Sequence, residues 1–102
     1  MINVVAIITA KPGKRDELLS LFNANVPAVR AEDGCIEYGA AIDTEGMGSF
    51  QAKLGEDSFA VLEKWESKEA LMAHAVSDHM KDYGKKSKDL VADKAIHILS
   101  NV

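Results

Sequence analysis

Between positions 63 and 83 the chain carries Glu63, Trp65, His74, His79 and Tyr83, within the segment FAVLEKWESKEALMAHAVSDHMKDY. Histidine, with an unperturbed pKa of about 6.5, is the side chain best suited to take up a proton near neutrality. A carboxylate can share that task, a phenol can donate a hydrogen bond to a developing anion, and an indole offers a flat apolar wall. The combination points to proton handling beside a planar ligand, placed where a strand hands over to helices, a common border of pockets.

Each of these residues also has a plainer reading. Trp65 at a strand end is first a large core residue, and Glu63, two positions away and on the same strand face, can serve as a salt-bridge or hydrogen-bond partner. His74 and His79 can be capping or surface histidines, and Tyr83 can bury its ring with its hydroxyl at the surface. On one continuous helix His74 and His79 would stand roughly 140° apart, too far round to share a metal as an i,i+4 pair does, so no zinc site is expected. A helix break at Ser77 would instead let them converge. His97, between Ile96 and Ile98, reads as a satisfied strand histidine, and the lone Cys35 as a small buried hydrophobe that can form no internal disulfide.

The elements that must position these groups follow from periodicity. Ile2 to Ala10 is apolar on both alternating faces, with Val4, Ala6 and Ile8 on one and Val5 and Ile7 on the other, a strand that must be covered twice. A turn at Lys11, Pro12 and Gly13 leads to a helix through Leu18, Leu21, Phe22, Val26 and Val29, stopped by Gly34, with Pro27 expected to bend it or end its regular part early. Residues 35–43 read as a second strand with Ile36, Tyr38, Ala40 and Ile42 on one side. The glycine-bearing stretch 44–57 reads as loop, with Phe50 as an anchor into pocket or core.

Phe59 to Trp65 reads as a third strand, followed by Ser67 as N-cap and Glu69 in the first helical turn. Leu71, Met72, Ala75 and Val76 give the next helix an apolar face. Ser77 and Asp78 signal a second start, after which Met80, Tyr83 and Ser87 share an inner face. Ala95 to Leu99 forms the last strand. This order predicts one α+β domain over residues 1–102, a ferredoxin-like split βαβ unit with an antiparallel sheet and its helices on one face. The other sheet face, apolar at the first strand and in part at Ala60, Val61 and Leu62, calls for a second sheet from another subunit.

Composition narrows the classes. Sixteen acidic against twelve basic residues give a net charge of −4, which provides no basic footprint for nucleic acid. Lys85, Lys86 and Lys88 read as the solvated end of a helix. The opening MINVVAIITAK has no basic leader and too short an apolar run to span a bilayer, so a cytoplasmic protein without export or membrane contact is expected. There is no glycine-rich phosphate loop, GxSxG elbow, CxxC pair or dinucleotide fingerprint.

VVAIITAKPGK, the helix-ending EDGCIEY, the strand-to-helix VLEKWESKEALMAH and the following SDHMKDY resemble the antibiotic biosynthesis monooxygenase domain, especially its small bacterial quinol monooxygenase-like members. The resemblance covers essentially the whole chain. It implies a homodimeric α+β barrel of two ferredoxin-like units packed sheet on sheet, each with a cavity between sheet and helices. It also implies oxidation of a quinol or related aromatic phenol by molecular oxygen without flavin, haem or metal. His74 or His79 would be the base, Tyr83 would polarise an oxygen, and Trp65, Tyr38, Phe50 and Met80 would line the cavity, with Glu63 beside the substrate. The later tryptophan and ligand histidine of haem-degrading relatives have no match, so no haem or other cofactor is expected. Isomerisation of a small phosphorylated carbonyl compound and quinone binding without turnover are the alternatives.

Overall fold

A computed structural model describes residues 1–102. Strand β1 (Ile2–Ala10) leads through a turn to helix α1 (Arg15–Arg30), then β2 (Cys35–Ala41), β3 (Ser58–Trp65), the short helices α2 (Lys68–Ala75) and α3 (Asp78–Ser87), and β4 (Val91–Ser100). The sheet is antiparallel with strand order β2-β3-β1-β4. This is the ferredoxin-like arrangement expected from the sequence.

The period-2 pattern of the strands divides the sheet into two unlike faces. Val4 and Ala6 of β1 and Phe59, Val61 and Trp65 of β3 are buried with Leu18, Phe22, Val26 and Val29 of α1. Val61 thus faces the helices, whereas the sequence reading set it with Ala60 and Leu62 on the open side. The opposite face carries Val5, Ile7, Ala60, Leu62 and Leu99, paired across the sheet as Val5 with Leu62 and Ile7 with Ala60 and Ala95. No helix covers it, and Leu62 and Leu99 remain 45% and 48% exposed. His97 is exposed on this face, opposite Val5, without the partner expected of it.

Helix α1 continues without interruption past Pro27 to Arg30. The proline removes one amide donor, but Pro27 and the carbonyl-bearing Asn23 are both exposed, so water can satisfy the freed acceptor, while Val26 and Val29 hold the turn in the core. In β2 only Tyr38 is buried. A register irregularity between Cys35 and Glu37 leaves Ile36 exposed, and Ile42 falls beyond the strand. Of the apolar stripe expected on α2, only Leu71 packs against the core: Met72, Ala75 and Val76 are exposed, and the buried residue of that helix is His74.

Gly34 turns the chain from α1 into β2 at φ +84°, and a Cβ there would lie 2.6 Å from the Ala70 Cβ. The Gly34 carbonyl accepts the Glu66 amide at 2.8 Å, so the turn is fastened against the start of α2. Gly34→Ala is expected to cost about 2–3 kcal/mol, combining left-handed strain with overpacking. Gly13→Ala, at φ +76° but with open space around it, should cost only the strain, about 1–2 kcal/mol. Chemical denaturation of the two variants checks the order.

Candidate active site

The break between α2 and α3 decides the geometry. Ser67 caps α2 by accepting the Ala70 amide at 3.1 Å, as its sequence context predicts. Eight residues later the helix ends, and Ser77 adopts an extended conformation. Its hydroxyl donates to the His74 carbonyl at 2.8 Å and its amide donates to the same oxygen at 3.1 Å, closing α2 rather than capping α3. The chain then restarts at Asp78, and the two histidines face a common point.

That point is the carboxylate of Glu32, in the turn after α1. Its Oε2 lies 2.8 Å from His74 Nδ1 and 2.8 Å from His79 Nε2, with the Ser77 hydroxyl 3.2 Å from the latter. The 140° separation belongs to an unbroken helix; with the break at Ser77 the two histidines converge, as the sequence allowed, but on Glu32 and not on the cavity. His74 is 5% exposed, with its ring tilted against Trp65 at 4.7 Å between centroids and edge-on to Tyr38 at 5.4 Å. Only Nδ1 of His74 is held by a protein group.

A cavity of about 710 Å³ opens between the sheet and helices α2 and α3. Its wall is mainly apolar, with Val4, Ala6, Ile8 and Val61 from the sheet, Phe22 from α1, and Leu71, Met80 and Tyr83 from the short helices. Polar groups reach it at few points: Glu63, His74, Tyr38, Tyr83 and Ser87, with Lys88 and Lys94 at the exposed rim. Phe22 organises the aromatic part, stacking on Tyr38 at 5.2 Å and meeting Phe59 and Tyr83 edge-on. The Asn25 amide contacts the Met80 sulfur at 3.3 Å and ties α3 to α1.

Burial shapes the protonation of this wall. It pushes the Tyr38 phenol far above its ordinary value, with the Glu63 carboxylate adding to the effect, and raises the Tyr83 phenol against a smaller opposing influence of Ser87. Both therefore remain hydrogen-bond donors. Glu63 is raised first by burial, opposed by the hydrogen bond it accepts from Trp65 Nε1 at 2.8 Å and by His74. The Cys35 thiol is likewise raised by burial and by Glu32 and Glu63, which suits an inert packing residue.

Of the predicted residues, the structure brings Tyr38, Glu63, His74, Met80 and Tyr83 to the cavity. Trp65 is fully buried behind His74 and is no part of the cavity wall. Its indole supports the imidazole and holds Glu63. Phe50 is 82% exposed and far from the role of an anchor, since its loop is organised instead by Asp43 accepting the amides of Leu54 and Gly55. His79 is half-buried and stands off the cavity, reaching it only through Glu32. Of the lysine cluster, Lys86 pairs with Asp82 at the end of α3, whereas Lys88 turns to the rim.

Glu32 is the residue that spacing did not reveal, because it lies 42 positions from His74. One sign was present: a carboxylate just past the C-terminus of a helix opposes the macrodipole and therefore calls for a positive or hydrogen-donating partner.

The family model described as "Antibiotic biosynthesis monooxygenase" matches residues 1–86. The chain belongs to that family. It is 38% identical over 101 residues to the protein named "Probable quinol monooxygenase YgiN" of Escherichia coli strain K12, covering 97% of this chain and 96% of that one. The crystal structure of PA3566 from Pseudomonas aeruginosa superposes with a TM-score of 0.81 at 26% identity, covering 99% and 93% of the two chains. Rv0793 from Mycobacterium tuberculosis gives 0.80 at 25%, covering 99% and 94%. Membership carries the coarse activity class, a monooxygenase acting on a small molecule. No helix in this family member is long and apolar enough to cross a membrane.

A raised Glu63 fixes the sign of one pH effect. The folded chain holds this proton more tightly than the unfolded chain, so the stability it contributes is full below the unfolded value and is lost as pH rises through the folded one. Glu63→Gln keeps an acceptor for the Trp65 indole and removes the charge. The variant's melting temperature relative to the parent is therefore expected to climb as pH rises from about 4, the ordinary glutamate value, through the raised folded one. A constant difference across that range would contradict the assignment.

Proposed function

We propose that the protein is a cofactor-independent monooxygenase that oxidises a quinol or related aromatic phenol with molecular oxygen in the 710 Å³ cavity. The observation that carries this reading is a largely apolar cavity with one imidazole in its wall, held through Nδ1 by a carboxylate and without a protein partner at Nε2. With Nδ1–H donated to Glu32, the Nε2 lone pair of His74 is the base that takes the phenolic proton. Tyr38 and Tyr83, both kept protonated by burial, donate hydrogen bonds to the resulting anion. The name of the E. coli relative supports a quinol as the substrate class.

The reaction balances without a resident redox group. One oxygen atom enters the ring as a hydroxyl and the other leaves as water. The two electrons and two protons for that water come from the quinol, which becomes a quinone. An apolar, water-poor cavity favours this course by keeping the phenolate unsolvated and excluding proton exchange with bulk solvent. His79 acts through Glu32 as a positioning residue, and Trp65 fixes the plane of the His74 ring from behind.

Chelator-treated protein is expected to speed oxygen uptake with naphthoquinols above their autoxidation. His74→Ala should lower kcat by about 100-fold or more, the usual worth of a general base, and His79→Ala by less. Rates at the autoxidation level across a quinol panel would defeat the proposal. The lysines at the rim, Lys88 and Lys94, favour one second reading, isomerisation of a small phosphorylated carbonyl compound using the same base. That reaction would run under nitrogen, whereas the oxygenase would stop.

The uncovered apolar sheet face supports a homodimer packed sheet on sheet. Sedimentation at micromolar concentration is expected to give twice the 11.0 kDa chain mass. Leu62→Lys, in the middle of that face, should yield a monomer. A parent protein that already sediments as a monomer would refute the arrangement.

A further inference from the structure

We propose that Glu32, His74 and His79 form a binding site for one divalent transition-metal ion of the zinc type. The donor atoms are Glu32 Oε2, His74 Nδ1 and His79 Nε2, all within 4.8 Å of one another. Two imidazoles and a carboxylate are a donor set suited to zinc and its borderline neighbours. Donors bound to zinc lie about 2.0–2.2 Å from the ion, hence about 3.3–3.6 Å apart at tetrahedral angles. The two N···O distances of 2.8 Å need open only slightly as the rings close toward one another. The ion would take the place of the two hydrogen bonds that now join the rings to the carboxylate.

The donors come from three segments, the turn after α1, the end of α2 and the first turn of α3, so the folded chain assembles them in advance. His74 is fixed between Trp65 and Tyr38, while Ser77 contacts both the His74 carbonyl and the His79 ring. The half-buried side of His79 leaves a route for the ion and room for water to complete its coordination.

One consequence rests on the oxygenase reading given above. A neutral imidazole has a single lone pair, so a metal on His74 Nδ1 requires the ring proton to sit on Nε2. The metal-loaded form then has no base at the cavity, and metal binding and quinol oxidation exclude one another.

Chelator-treated protein titrated with Co²⁺ and Zn²⁺ tests the site directly. One ion per chain is expected, with a Kd of about 1 μM or tighter, the visible bands of four- or five-coordinate cobalt, and displacement of cobalt by zinc. Glu32→Gln and His79→Ala should each weaken binding at least tenfold. The partly exposed His79 keeps the test decisive if the Glu32 variant fails to fold. Absence of a saturable site, or unchanged affinity in His79→Ala, overturns the proposal. Oxygen uptake by the metal-free protein separates the two readings: a chain that binds metal but shows no quinol turnover in its chelator-treated form overturns the oxygenase and leaves the site standing. Turnover without metal binding does the reverse, and loss of turnover at the midpoint of the zinc titration supports both.

Discussion

One carboxylate oxygen receives two imidazoles, and the arrangement of the helices beside the cavity depends on that contact. Glu32 Oε2 meets His74 and His79 at the same 2.8 Å distance from two different helices. Their convergence is possible only because α2 stops at Ala75 and α3 starts afresh at Asp78. It also requires the turn after α1 to approach α2 closely, which Gly34 permits by having no side chain to strike Ala70. A small backbone detail thus bears on the position of His74, 40 residues further along the chain, through a contact between turn and helix. The carboxylate needs its partners as much as they need it, since it sits at the unfavourable end of the α1 dipole.

Around this contact the wall separates into functions by depth. Trp65 lies behind His74, buried, with its indole nitrogen committed to Glu63. Tyr38 and Tyr83 stand at the cavity surface, joined through Phe22, with phenols that burial keeps protonated. An apolar lining with a few convergent polar groups is the ordinary form of a small-molecule site. Low polarity strengthens a hydrogen bond made to a charge inside such a wall.

The two faces of the sheet divide the work of the domain. One is filled by α1 and by the cavity, the other presents Val5, Ile7, Leu62 and Leu99 without cover. A chain of this size buries only part of its apolar surface alone. Packing a second sheet on the open face leaves the cavity, on the opposite face, free for a ligand.

The sequence by itself determined the element order, the antiparallel α+β class, the two-faced first strand, the Ser67 cap and the restart at Ser77. Those features rest on side-chain period and local capping, which are properties of neighbouring residues. It also named Tyr38, Glu63, His74, Met80 and Tyr83, all of which line the cavity, with the family resemblance supplying part of that choice. Only the tertiary structure decided that Trp65 stands behind the imidazole, that Phe50 is exposed, that the buried face of α2 is built on His74, and that Glu32 joins the two histidines. These depend on which distant segments meet, and a carboxylate 42 positions from its imidazole leaves no periodic trace in the chain. The break at Ser77 was legible, but that both side chains meet Glu32 was decided by the close approach of the turn after α1 to α2.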